Sequence, residues 1–386
     1  MAESNSFTGT VSSLRTTYQY LASRSAYSKK IQFACFTKNA FTRVLGAEAF
    51  GVTNLTDLNT FSAAKPTGRM IRYDSGVYAF GGAIFADTPT SYFVGRLGSY
   101  TPELVEGGDE YKYSWHNMVN TQFIPVADVE DNTSGDINIK MQKMEAMQSK
   151  YVEDFNYVVL GHASAPDTGS MGPSVVYSDL PNLISYTQTR TVGGISKTSN
   201  TYWNNGAAAI TAVGGGGDLD RPLILRRKLI KRMNTTMTYA ESTGPQDYLL
   251  LGTQGFHQYY DRLQYADGVS TGKGDFGVSS RYDAAGVQAH ALNGAAMIWD
   301  AAVTVPYGAT AATECLYGIH IPNFGVAIRK EQNFLLSGDS TGDMWEKPRE
   351  HDSPKTLVSS IRTRFTPFVT AMRPHWVAYN IPACPD

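Results

Sequence analysis

From residue 134 to about residue 161 apolar side chains recur every three or four positions, at Ile137, Met141, Met144, Met147, Tyr151, Phe155 and Val158. That spacing puts them on one side of an α-helix. Thr133 stands three residues before Asp136, a pair suited to satisfying free N–H groups at a helix start and opposing its positive end. Gly161 supplies a stop, and the run 162–167 is turn-forming. At 1.5 Å per residue the helix spans roughly 40 Å. A rod of that length forms the backbone of a domain, and the rest of the chain must be arranged around it.

The sequence before the helix is of two kinds. Residues 1–67 read as an N-terminal arm, in which a short amphipathic helix at Val11, Leu14, Tyr18 and Leu21 gives way to Ser, Thr, Asn and Gly. Residues 68–127 are strand-rich: Tyr111, Tyr113 and Trp115 alternate strictly, and the apolar runs 77–80, 83–85 and 92–94 are broken by glycines. They predict an extended antiparallel loop that returns to the base of the helix. A two-stranded ribbon has no second layer over its apolar face. The aromatic residues Tyr78, Phe80, Phe85, Tyr92, Phe93, Tyr111, Tyr113 and Trp115 therefore either lie on another subunit or belong to a sandwich within one.

After the helix, strands and helices alternate. Residues 247–253 predict a buried strand running into a helix that carries Phe256, Tyr259, Tyr260 and Leu263. The glycine-rich 206–217 predicts a mobile loop, and residues 356–381 predict two strands broken at Pro367 and Pro374. The organisation expected is an α+β chain: arm 1–67, extended loop 68–127, a domain 128–184 built on the long helix, an α/β domain 185–325, and closing strands over 326–386 that return to the domain of the long helix.

A chain of 386 residues, 42% hydrophobic, buries a substantial core without help from disulfides. Cys35, Cys315 and Cys384 are odd in number and show no CxxC spacing, so neither a disulfide framework nor a zinc site is indicated, and a reducing cytoplasm fits best. No basic-plus-apolar leader and no run of 18 apolar residues is present, which argues against secretion by a signal peptide and against membrane spanning. The formal charge of −2 argues against a dedicated nucleic-acid binder. One stretch is an exception. Residues 221–232 read RPLILRRKLIKR, and Asp220 and Pro222 suit a helix cap and first turn. Arg226, Arg227, Lys228, Lys231 and Arg232 make this helix strongly cationic, while Leu223, Ile224, Leu229, Ile230 and Met233 can pack inward. The patch reads as a solvated face, an inter-subunit salt-bridge surface or a contact with nucleic acid.

Catalytic signals fail in context. Residues 338–342 match G-x-S-x-G around Ser340, with Asp352 and His375 following in hydrolase order, but Trp345 and Pro348 stand where a nucleophile elbow needs a helix. Residues 268–274 fall one residue short of a phosphate loop and carry Gly274 where a hydroxyl ligand is required. The seven histidines never fall at i, i+3 or i, i+4, so no helical metal pair exists and no cofactor is expected.

The order of segments resembles the major capsid protein of tailed double-stranded DNA phages, the Hong Kong 97-like fold, with its N-terminal arm, extended β-loop, peripheral domain with long spine helix, and axial α/β domain. Thr191-Val192-Gly193-Gly194-Ile195 followed by Thr201-Tyr202-Trp203-Asn204-Asn205 is similar to the Gly-Gly-Ile and Trp-Asn segment of one branch of that family, and 247–263, 293–300, 316–322 and the closing strands follow its order. The resemblance implies a non-catalytic protein that assembles with itself into hexamers and pentamers of an icosahedral shell. It also implies portal, scaffolding and decoration proteins as partners, non-specific contact with packaged double-stranded DNA, and a place in the virion capsid after assembly in the host cytoplasm. The loop would lie over a neighbouring subunit. Some members crosslink a loop lysine to an asparagine of the next subunit, and Lys65 and Lys112 are the lysines in or near this loop. The short arm, with no long charged helical segment before it, implies a separate scaffold. Two alternatives stand beside this reading: a cellular nanocompartment shell of the same fold, and a soluble serine hydrolase using Ser340.

Overall fold

The computed structural model describes residues 28–50 (without 29, 33 and 37), 70–84, 108–131, 139–161, 178–210, 222–240, 244–266, 278–279, 289–306, 313–337, 345–346 and 355–382. Most of the arm, the helix start at Thr133 and Asp136, Phe85, Tyr92, Phe93, Lys65, Ser340 and Asp352 lie outside the described residues.

Two sheets organise the described chain. One has five strands: β1 (Met70–Asp74), β13 (Phe324–Arg329), β15 (Thr356–Val369) and β14 (Leu335–Leu336), with β4 (His116–Pro125) on the other side of β15. The other has seven, in the order β7 (Gly206–Ala209), β16 (Trp376–Pro382), β12 (Thr313–His320), β8 (Tyr248–Gly252), β11 (Ala295–Trp299), β10 (Ala289–Leu292) and β9 (Val278–Ser279). β2 (Tyr78–Ile84) and β3 (Gly108–Ser114) make a separate ribbon, and β5 (Thr191–Val192) and β6 (Ile195–Ser196) a small hairpin. The helices are α1 (Ala40–Phe50), α2 (Val126–Asp131), α3 (Ile139–Leu160), α4 (Leu180–Leu183), α5 (Pro222–Met237) and α6 (Gln254–Ala266).

The long helix α3 packs on β4 and β15. Met144, Met147, Tyr151 and Phe155 are buried as their spacing predicts, but Met141 faces solvent and Val158 is half-buried. Val152, Val159 and Leu160 join the inner face instead, because the buried stripe follows the 3.6-residue pitch round towards them. The ring of Phe155 lies 4.8 Å from Phe365 and 5.9 Å from both Phe36 and Phe334, centroid to centroid, so one aromatic knot joins the helix to the five-stranded sheet. Gly161 ends α3 with φ +76°, the left-handed conformation a helix stop needs. A Cβ there would approach Pro181 to 2.7 Å, and Thr304 Oγ1 donates to the Gly161 carbonyl at 3.0 Å.

β8 is apolar along its whole length because it is covered on both faces. Leu249 and Leu251 enter the main core, while Tyr248 and Leu250 pack beneath α5 and α6 with Leu229, Phe256 and Tyr260. The strand-to-helix step predicted at 247–263 is therefore observed. Asp300, at the end of β11, accepts from Phe41 N in α1 (3.3 Å) and from Asn156 Nδ2 in α3 (3.0 Å), tying both helices to the seven-stranded sheet.

Four boundaries differ from those read in the sequence. The segment 206–209 is not loop but the edge strand β7, parallel to β16; its glycine and alanines fit close beneath α5, where a Cβ on Gly206 would stand 2.9 Å from Arg232 Nε. Pro367 does not break β15. Val369 N and O both meet Tyr113 Oη on the side away from β13, and residues two apart in a strand direct their backbone groups alike. The missing N–H of Pro367 thus faces the side where β4 has already ended, at the pair Phe365–His116. β16 leaves β15 and enters the seven-stranded sheet beside β12, so the closing strands of 326–386 divide between the two sheets. Finally, β1 is parallel to β13 and β4 pairs with β15 over ten residues, so the free-standing ribbon within 68–127 is confined, among the described residues, to β2 and β3.

Candidate assembly interface

The ribbon has two chemically different faces, set by its register. Ala79 and Gly81 stand opposite Tyr113 and Tyr111. The small residues leave room for the rings; a Cβ on Gly81 would collide with the Tyr111 hydroxyl. These tyrosines point inward, with Tyr111 only 3% and Tyr113 2% exposed. The next positions along each strand point outward: Tyr78 is 46% and Phe80 57% exposed, beside Lys112, which pairs with Glu110 at 3.0 Å. Val77 before them is exposed as well, as are Val119 and Phe123 on the outer face of β4.

The expected role of Tyr111 and Tyr113 as residues awaiting a neighbour is corrected by this geometry, since the chain covers them itself. Tyr111 stacks on Trp203 at 6.4 Å, and Trp203 Nε1 donates to Val192 O at 2.9 Å. Tyr113 Oη donates to Val369 O at 3.2 Å, closing the sheet edge beyond β4. Trp115 is half-buried, with Nε1 donating to Gly76 O at 3.1 Å. From β1, the Arg72 guanidinium lies 4.5 Å over Phe368 and pairs with Asp74 at 2.6 Å, while Nη2 donates to Phe80 O at 3.3 Å.

The hairpin β5–β6 clamps the ribbon root. Gly193 and Gly194 take φ +60° and +83°, a two-residue turn that needs left-handed conformations at both positions. Lys112 N donates to Gly193 O at 2.8 Å, and a Cβ on Gly193 would come within 2.9 Å of the Tyr113 ring. The Gly-Gly-Ile and Trp-Asn segments thus meet at one place.

Beneath the hairpin lies a residue that sequence reasoning missed. Lys197 is fully buried, and its Nζ donates to Asn205 Oδ1 (2.8 Å), Leu183 O (3.1 Å) and Ser185 Oγ (3.3 Å). Burial, then the nearby charge of Arg190, lowers its pKa to about 7. No sequence signal marks it, because lysine is among the residues least often buried.

Two buried histidines hold other junctions through unprotonated ring nitrogens. His116 Nε2 accepts from Ser178 N at 3.2 Å where the ribbon passes into β4, and His375 Nδ1 accepts from His320 N at 3.1 Å between the two sheets. Burial lowers their pKa values to about 4 and about 3. A lowered folded-state value means that the unfolded chain binds more protons below pH 6.5, so stability is lost as pH falls from about 6.5 towards 4. Asp179, raised by burial to about 6, opposes this with a single proton. Urea midpoints are expected to fall between pH 7 and pH 5, and to fall less in His116→Gln with His375→Asn, which keep acceptors but cannot titrate. His375 is wholly buried and commits Nδ1 to that bond.

The cationic helix α5 begins at Pro222, as predicted. Leu225, Leu229 and Met233 form its buried stripe, whereas Ile224 is exposed and Ile230 half-buried. Arg227 and Lys231 are exposed; Arg226, Lys228 and Arg232 are half-buried. Ribbon and cationic helix belong to different parts of the fold and do not form one site. Among the described residues no helix is long and apolar enough to cross a membrane.

No family model matches the sequence, and no curated protein matches it. Solved structures do. A subunit of the cyanophage A-1(L) capsid superposes with a TM-score of 0.56 at 14% identity, over 81% of this chain and 90% of that one. The chain has the Hong Kong 97-like fold. Also similar are the capsid of an empty GTA particle (TM-score 0.49, 8% identity, 81% of this chain and 88% of that one) and a holo-SrpI encapsulin complex from Synechococcus elongatus (0.48, 9%, 81% and 85%). The Hong Kong 97-like assignment rests on the first of the three.

Proposed function

We propose that this chain is a major capsid protein, a non-enzymatic subunit that assembles with itself into the hexamers and pentamers of an icosahedral shell around double-stranded DNA. The observation that carries the reading is the ribbon: a rigidly rooted projection with exposed Tyr78 and Phe80, on a chain that shares its fold with a cyanophage capsid subunit. Full burial of such side chains is worth about 1.5–3 kcal/mol each. In a closed shell every subunit both gives and receives the contact, so modest interfaces add up to a stable particle.

In this reading α3 is the spine of a peripheral domain, the seven-stranded sheet the core of an axial domain, and the ribbon part of an extended loop, 68–127, that lies on the next subunit and whose sequence includes Phe85, Tyr92 and Phe93. Portal, scaffolding and decoration proteins are the further partners, and the virion is the location. Particles recovered from producing cells and treated with nuclease separate this reading from a nanocompartment. Protected double-stranded DNA is the expected content; an enclosed enzyme without DNA would overturn it.

A further inference from the structure

We propose that the outer face of α5 binds the phosphate backbone of nucleic acid, with Arg227 and Lys231 as the contacting cations. α5 carries five cations and no carboxylate over 16 residues. Its inner stripe is spent on the seven-stranded sheet, and the residues opposite that stripe border an open groove of about 540 Å³ lined by Arg227, Ile230, Lys231, Asn234, Thr235 and Thr238. Arg227 and Lys231 stand one turn apart on it, separated by a rise of about 6 Å. Neither has an ion pair among the described residues. The hydroxyl protons of Thr235 and Thr238 are turned inward, to Lys231 O (2.8 Å) and Thr235 O (2.7 Å), so the charged N–H groups dominate what the groove offers a ligand.

The groove therefore asks for an extended anion. A nucleic-acid duplex carries one charge per roughly 1.7 Å of its axis and can engage both cations in any register. Carboxylates of a second copy would have to be placed one by one opposite these two cations, whereas the phosphates of a duplex are evenly spaced along its backbone. The contacts proposed are to phosphates, so binding is expected to be independent of sequence. The capsid reading supplies the source of the nucleic acid, but the groove's chemistry stands apart from it.

The test is fluorescence anisotropy of a random-sequence 30-base-pair duplex with the full chain, between 50 and 200 mM salt, comparing wild type with Arg227→Gln/Lys231→Gln; both sites are exposed, and the substitutions remove the charge while keeping a polar, helix-compatible side chain. Two phosphate contacts change the slope of log affinity against log salt by about 1.8, so the wild type should lose about tenfold more affinity across that range than the variant. Equal affinity and equal slope in the two proteins would overturn the proposal. So would a variant that binds DNA normally but no longer forms particles, which would assign the groove to a neighbouring copy. A wild type that forms no particles, with DNA binding still lost in the variant, would support the groove assignment while counting against the capsid reading.

Discussion

Lys197→Met is expected to destabilise the subunit by about 2–4 kcal/mol. Methionine fills much of the space but offers no donor, so Asn205 Oδ1 and Leu183 O lose the lysine's hydrogen bonds in a buried site, each at a cost of about 1–3 kcal/mol, while Ser185 Oγ keeps its bond to Thr187 O. Relief from burying a charged amine offsets part of that. The loss should also depend on pH in a direction fixed by linkage. With the folded-state pKa lowered to about 7 from 10.5, the unfolded chain holds more protons between those values. Wild-type stability from this group therefore rises from pH 7 towards pH 10, and the gap between wild type and variant widens. Urea unfolding of both proteins at pH 7 and pH 9.5 measures it. A gap below 1 kcal/mol that does not change with pH would show that Lys197 is not the keystone under the ribbon root.

Tyr78→Asp/Phe80→Asp is expected to do the opposite: leave the subunit folded and abolish assembly. Both side chains point away from the chain's own core, on the face opposite Tyr111 and Tyr113. Losing their burial and desolvating two carboxylates removes about 2–4 kcal/mol from each subunit contact, roughly 30- to 1,000-fold in every association step. Circular dichroism and urea midpoints should match wild type while electron micrographs show no particles. Normal particles would remove this face from the interface. An unfolded variant would mean that the face packs within its own subunit.

The contrast between these two sites shows what could be read in the chain before its structure. Helical spacing placed α3, and the uninterrupted apolar run placed β8 before α6, because local pattern alone dictates an amphipathic rod and a doubly covered strand. Strict alternation at Tyr111, Tyr113 and Trp115 gave β3 its strand form, yet could not say which layer covers it. The answer lies in Trp203, Gly193 and Val369, between about 80 and 260 residues away in sequence. Arg72 was illegible for the same reason, since the ring it covers belongs to Phe368, whereas Lys197 has its partners within 14 residues and was missed because nothing local marks a lysine for burial. Pro367 misled because a proline breaks a strand only where its nitrogen faces a partner, and that depends on where β4 ends.

Sedimentation velocity of the purified chain, with negative-stain images of the fastest fraction, tests shell formation most directly. Closed particles of uniform size are the predicted result. A monodisperse monomer across protein concentration, salt, pH and crowding agent would contradict assembly by the chain alone.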